Sequence, residues 1–308
     1  MTNAMMKGAS RAREAAVNAR MLLAAVLLWA GTSGCEPQEL GAESLDTAVH
    51  TQELDSTNGI SANGISANGI SANGISANGL AANGLALNGL ASASFSAWFS
   101  TDPATSNMLM KYLVRCAVPA GEGRSFTDPQ TGTLYTWTGN LGLAPGWAGG
   151  APATLTEQQL ITACLLAHVN QSGMNLPISV LGRDAQGTLI PYTRQELVTY
   201  SVHEACFFGN LFTPQGMYFG TDRLQRNRDT LLTRACSVSG DGTMDRYQSA
   251  ALHCAPLQFA GSCLQRCQVD MQGGPFYKTC TYNGVTYPAI TTRMRPQDYS
   301  QLVASLDE

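Results

Sequence analysis

Residues 154–168 read Thr-Leu-Thr-Glu-Gln-Gln-Leu-Ile-Thr-Ala-Cys-Leu-Leu-Ala-His, and the fold turns on how this stretch is parsed. Thr154 and Glu157 stand three apart ahead of an apolar run. That is a capping box, in which hydroxyl and carboxylate satisfy each other's backbone N–H groups. Leu160, Ile161, Cys164, Leu165 and His168 follow at helical spacing, so a helix is expected here, stopped by Gly173. Cys164 then falls in mid-helix, away from the N-terminal end that favours a thiolate, and reads as a disulfide partner.

Upstream, Asp102-Pro103 reads as N-cap and first helical residue, with Met108, Leu109, Tyr112, Leu113 and Cys116 on one face. Phe126 and the run Leu134 to Trp137 flank the turn Asp128-Pro129-Gln130-Thr131-Gly132 and predict a hairpin. Residues 139–153, rich in Gly, Pro and Ala, read as a loop. Downstream, Ile178 to Leu181 reads as a short strand. A second capping box, Thr193 to Glu196, predicts a helix through Leu197, Tyr200 and Glu204 toward Cys206. The apolar stretch Cys206 to Phe212 belongs to the core or its edge. Beyond Cys236 the chain is Cys-dense and strand-rich, and Tyr282-Asn283-Gly284-Val285 predicts a type I′ hairpin. The fold class is therefore α+β, with helices followed by a disulfide-rich β region over residues 93–308.

The chain of 308 residues is 44% hydrophobic but only 13% charged, with a net charge of −4. No basic stripe exists to neutralise a nucleic-acid backbone, so nucleic acid is excluded as a partner. Lys7, Arg11, Arg13 and Arg20 precede the apolar run Met21 to Ala30, which is too short to span a bilayer. Gly31-Thr32-Ser33-Gly34-Cys35 follows and resembles a bacterial lipobox, although Thr32 replaces the usual aliphatic residue. Residues 1–34 thus read as a lipoprotein-type signal peptide, with Cys35 the lipidated residue. The alternative is a plain secretory signal. Of the nine cysteines, an anchored Cys35 would leave Cys116, Cys164, Cys206, Cys236, Cys254, Cys263, Cys267 and Cys280. Eight make four disulfides, with roughly a hundred connectivities open.

Residues 35–57 form an acidic linker, and Asn58 opens seven near-perfect pentads through Ser92. Four read Asn-Gly-Ile-Ser-Ala and three begin Asn-Gly-Leu. Period five places successive Ile or Leu on drifting faces of a helix and on opposite faces of a strand, so neither element buries the pattern. The tract reads as a tether. Its alternative is a short solenoid similar to pentapeptide-repeat proteins, a match weakened by Asn and Gly before the central apolar residue.

Candidate chemistry is sparse. A papain-like arrangement would use Cys164 as nucleophile, His203 as base, Asn210 as orienter and Gln159 near an oxyanion, but Cys164 lies mid-helix and the signature around it is absent. His203-Glu204 begins like a zinc-protease helix, yet the fifth residue is Phe207. Cys164 and His168 lack a second ligand pair, and Cys263 and Cys267 lack finger-like partners, so no metal or cofactor is expected. Asp241, Thr243 and Asp245 start like a calcium loop, but Arg246 and Leu252 break it. Arg223, Arg226, Arg228 and Arg234 form a basic cluster diluted by Asp222 and Asp229. Tyr135, Trp137 and Trp147 offer a surface for stacking on a sugar ring, against an ordinary core role.

The pentads, the stretch Tyr135 to Trp147 and the run Glu204 to Phe212 together resemble uncharacterised cysteine-rich secreted proteins and lipoproteins of soil bacteria. The resemblance implies export and carries no activity. The expected function is a lipid-anchored protein of the bacterial outer membrane or cell surface, a binding or structural module for an envelope glycan or surface protein. Soluble periplasmic or secreted placement is the alternative address. A secreted hydrolase using Cys164 and His203 is the alternative activity.

Overall fold

The computed structural model describes residues 80–169, 177–222 and 257–304. Thr154 Oγ1 accepts from Glu157 N, and Glu157 Oε2 accepts from Thr154 N at 2.9 Å, closing the predicted capping box. The helix it starts is the sixth among the described residues. Before it come α1 (Leu80–Asn83), α2 (Leu87–Leu90), α3 (Ala93–Thr101), α4 (Pro103–Ala117) and α5 (Pro145–Ala148), and α6 itself is Leu155–Ala167. Every residue from Gln159 to Ala167 is buried, so α6 beyond its exposed first turn is enclosed on all sides rather than on a single stripe. Gly173 lies outside the described residues.

Glu157 does more than cap. Its Oε1 accepts from the N–H groups of Gly146 (2.8 Å) and Trp147 (3.0 Å), at the start of α5. The segment expected as a loop therefore holds a short helix that carries Trp147 into the core, fully buried. α4 is capped by Asp102 Oδ1, which accepts from Thr105 N, and Cys116 at its end is disulfide-bonded to Cys164 of α6. β1 (Gly123–Thr127) and β2 (Leu134–Thr138) form the expected hairpin.

The remaining elements are β3 (Ile178–Leu181), α7 (Arg194–Thr199), β4 (Val202–Asn210), β5 (Gly216–Thr221), β6 (Leu257–Ser262), α8 (Cys263–Arg266), β7 (Cys267–Val269), β8 (Tyr277–Tyr282), β9 (Val285–Pro288), β10 (Ile290–Met294) and α9 (Pro296–Ala304). The larger sheet runs β3-β10-β4-β5-β6, antiparallel except for β5 with β6. The smaller runs β7-β8-β9. Asn283 (φ 49°) and Gly284 (φ 76°) both take positive φ between β8 and β9, the I′ geometry expected of Asn-Gly.

One expected helix is in fact a helix and a strand. α7 stops at Thr199, and residues from Val202 onward are β4. Glu196, whose carboxylate would complete the second capping box, instead accepts from Ser179 Oγ of β3 at 2.7 Å. The strand then alternates between two cores. Ala205 and Phe207 pack with α6, while Cys206 and Phe208 join Tyr218, Cys263, Tyr277, Cys280 and Tyr287 on the opposite face. A strand buried on both faces reads as an unbroken apolar run and loses its period of two.

The packed domain also begins earlier than residue 93. Leu80, Leu85 and Leu90, the central leucines of the last three pentads, are buried in the same core as α4 and α6. Trp147 Nε1 donates to Leu80 O at 2.6 Å, Leu85 N donates to Trp147 O at 2.9 Å, and Arg124 Nε donates to Leu85 O at 3.1 Å. Gly84 takes φ 77° and lies against Gly150, where a Cβ would meet backbone at 2.5 Å. A tether would not notice the loss of a side chain. Leu85→Ala is instead expected to cost about 2–5 kcal/mol, as for other buried leucines, measured as the shift in a denaturant unfolding curve of the full chain.

The turn between β7 and β8 is held to the rest by Asp270. Its carboxylate accepts from Arg183 Nε (3.2 Å) and Nη2 (2.9 Å) and from Gly274 N (3.1 Å). The Arg183 hydrogen bond, then the Gly274 amide, hold the Asp270 carboxyl below the usual aspartate range against the opposing effect of burial. A depressed carboxyl contributes stability that is present above its unfolded pKa and is lost as pH falls through the folded one. Unfolding measured from neutrality downward should therefore steepen below about pH 4, and Asp270→Asn should flatten that segment.

Candidate functional site

β4 carries His203, Glu204 and Asn210, three of the residues singled out for chemistry, and its geometry sorts them. The pairing of β10 with β4 shifts register, so that Thr292 faces Ala205 and Arg293 faces His203, leaving Glu204 as an extra residue. Such a bulge twists the strand locally and re-aims side chains. Glu204 Oε2 accepts from Thr292 Oγ1 at 2.7 Å, wholly buried. His203 Nδ1 lies 2.8 Å from Asp222 Oδ2, just beyond the end of β5. The second oxygen of Asp222 accepts from the phenolic O–H of Tyr277 in β8.

Burial, and next the Asp222 hydrogen bond, push the Tyr277 hydroxyl well above its ordinary range, so it stays protonated and donates. Arg293, in the same register row as His203, donates Nε to Tyr200 O at 2.7 Å. Its burial draws it down from the ordinary arginine range, opposed by the Asp222 charge. The cluster is therefore a partly exposed imidazole backed by a buried carboxylate, which a buried phenol holds in place. A carboxylate at Nδ1 fixes the tautomer and the ring plane of a histidine, an arrangement that suits proton transfer or polar recognition.

The papain-like arrangement is not assembled. Cys164 Sγ is bonded to Cys116, and a disulfide sulfur is not the thiolate that attacks a carbonyl. Its histidine contact is His168, whose Nδ1 lies 3.7 Å from Sγ and 2.8 Å from Cys164 O on the same helix. Asn210 closes the far end of β4, where Oδ1 accepts from Phe212 N and Nδ2 donates to Gln158 of α6. Six strand residues lie between His203 and Asn210, roughly 20 Å of backbone. Gln159 is buried in α6. His203 and Glu204 lie on a strand, so the helical spacing of a zinc-protease pair is absent.

The stacking surface is also dissolved. Trp147 is fully buried and Trp137 is 2% exposed, its Nε1 donating to Asn107 Oδ1. Tyr135 is half-buried against Phe99, with ring centroids 4.7 Å apart. The arginine cluster from Arg223 to Arg234, the Asp241–Asp245 segment, and Cys236 and Cys254 lie outside the described residues. So do the lipobox and Cys35.

The six described late cysteines pair as Cys116–Cys164, Cys206–Cys263 and Cys267–Cys280. Cys116, Cys164 and His168 lie close enough together to hold a metal, as do Cys206, Cys263 and Cys267, but their sulfurs are committed to these bonds. Gly220 of β5 makes room for one of the bridges. A Cβ there would sit 2.8 Å from Cys206 Sγ and 3.1 Å from Cys263 Sγ.

The GLTT repeat family matches residues 56–81 in six copies, which marks the pentad region as a repeat tract. No curated protein and no solved structure matches the chain.

Asp222 and Tyr277 lay hidden in the sequence, 19 and 74 residues from His203, with no motif to join them. Tyr277→Phe removes the donor to a buried carboxylate oxygen. It is expected to destabilise the fold by about 1–3 kcal/mol, read from urea unfolding of the variant beside the unaltered chain.

Proposed function

We propose that this is a lipid-anchored protein of the bacterial envelope or surface, in which a disulfide-stapled α+β domain serves as a binding or structural module. The observation that carries the reading is the pairing of all six described cysteines, in keeping with an oxidising compartment. The basic segment before Met21, the short apolar run to Ala30 and the small residues before Cys35 add an export signal ending at a cysteine suited to acylation. Among the described residues no helix is long and apolar enough to cross a membrane. Attachment through Cys35 supplies the membrane contact in this reading, and the repeat tract joins that residue to the domain.

The burial of Trp137 and Trp147 takes away the aromatic surface for a glycan. Within the module, the partly exposed His203, backed by Asp222, is the polar feature best suited to meet a partner.

Intact-mass measurement on protein extracted from membranes tests the anchor. The expected product begins at Cys35 and carries a diacylglycerol-sized increment there, and Cys35→Ser abolishes both the increment and membrane retention. A mature chain cleaved elsewhere and free of lipid would overturn the reading.

A further inference from the structure

Two of the three described disulfides touch each other. Cys206–Cys263 ties β4 to α8, and Cys267–Cys280 crosses between β7 and β8, where the two cysteines are directly paired. Cys267 Sγ lies 3.4 Å from Cys206 Sγ, and the sulfurs of Cys206, Cys263 and Cys267 all lie within 4.8 Å of one another. β7 is an edge strand of the smaller sheet. Cys267 at its start is partly exposed, while Cys206, Cys263 and Cys280 are buried. Cys116–Cys164, by contrast, is wholly buried between α4 and α6.

Disulfides exchange when a thiolate reaches a sulfur of the bond, and access decides which sulfur is attacked. We propose that Cys206–Cys263 and Cys267–Cys280 form a single thiol–disulfide exchange site, entered at Cys267 by an external dithiol. One thiolate of that dithiol attacks Cys267 Sγ, forming a mixed disulfide and releasing the Cys280 thiolate, which takes up a proton. The second thiol of the dithiol closes its own disulfide and releases Cys267 as a thiolate. Two electrons have then passed from the dithiol to the protein. Cys267 attacks Cys206 Sγ beside it, the Cys206–Cys267 bond forms, and Cys263 leaves as a thiolate with no further change in oxidation state.

The outcome moves one staple. β4 is bonded to β7 instead of α8, and the new thiols are Cys263 and Cys280. Close packing of the sulfurs on the β5 backbone at Gly220 keeps Cys206 in place for that attack.

Full-length native protein treated with limiting dithiothreitol, quenched in acid, alkylated and mapped as unreduced peptides tests this. The expected early product carries alkyl groups on Cys280 and Cys263, contains a Cys206–Cys267 linked peptide and keeps Cys116–Cys164 intact. Labels confined to Cys267 and Cys280, with Cys206–Cys263 retained, would overturn the exchange. Joint labelling of Cys206 and Cys263 ahead of Cys280 would overturn entry at Cys267. Simultaneous opening of Cys116–Cys164 would overturn the site's selectivity. Cys280→Ser provides a second arm, because it leaves a permanent thiol at Cys267 and should yield the Cys206–Cys267 peptide with no reductant added. Should that variant fail to fold, the time course on the unaltered chain decides.

Discussion

The start of α6 is organised by one buried carboxylate, that of Glu157, which meets backbone N–H groups from two segments of the chain at once. It takes the N-cap amide of Thr154 with one oxygen and the amides of Gly146 and Trp147 with the other. An unsatisfied buried amide would cost about 1–3 kcal/mol. A single side chain therefore fixes the start of α6, the path of the preceding segment and the position of Trp147. Trp147 in turn anchors Leu80 and Leu85, so the N-terminal end of the domain hangs on the same group. At the other end of α6, Cys164 is bonded to Cys116, and Thr162 Oγ1 accepts from Leu211 N just past β4. Helix, sheet and N-terminal segment share this axis.

Local signals in the sequence were legible where a few adjacent residues settle the geometry. The Thr154–Glu157 box, Asp102-Pro103, and the turns at Asp128–Gly132 and Asn283-Gly284 all report backbone preferences that distant residues do not override. The misreading of β4 has its cause in burial on two faces. Val202–Asn210 serves α6 with one set of side chains and the smaller sheet with the other, so its apolar residues run together and mimic a helix. The pentads mislead in the opposite direction. Period five suits no regular element, yet Leu80, Leu85 and Leu90 still reach one core, because short helical turns and the positive φ of Gly84 reset the direction between them.

The candidate site was half legible. His203 stood out as a residue type, but its partners are set by a bulge at Glu204 and by a strand dozens of residues downstream, neither of which leaves a motif. Cysteine parity implied disulfides without saying which, since pairing follows from topology. Cys206 meets Cys263 only because β6 lies parallel beside β5 and delivers α8 under β4. Cys164 could be discounted as a nucleophile from its mid-helix position, and the structure supplies the bond that occupies it.

The place of β10 has a consequence for the order in which the sheet forms. This strand follows β3, β4, β5 and β6 in sequence, yet it lies between β3 and β4 and pairs with both. The larger sheet therefore cannot close until β10 is in place, and its key pairings span more than eighty residues, as between Glu204 and Thr292. Topologies dominated by such distant contacts fold slowly. A chain cut short of β10 would leave β3 and β4, which do not pair with each other, without the strand that joins them, so the sheet is completed from the far end of its sequence inward.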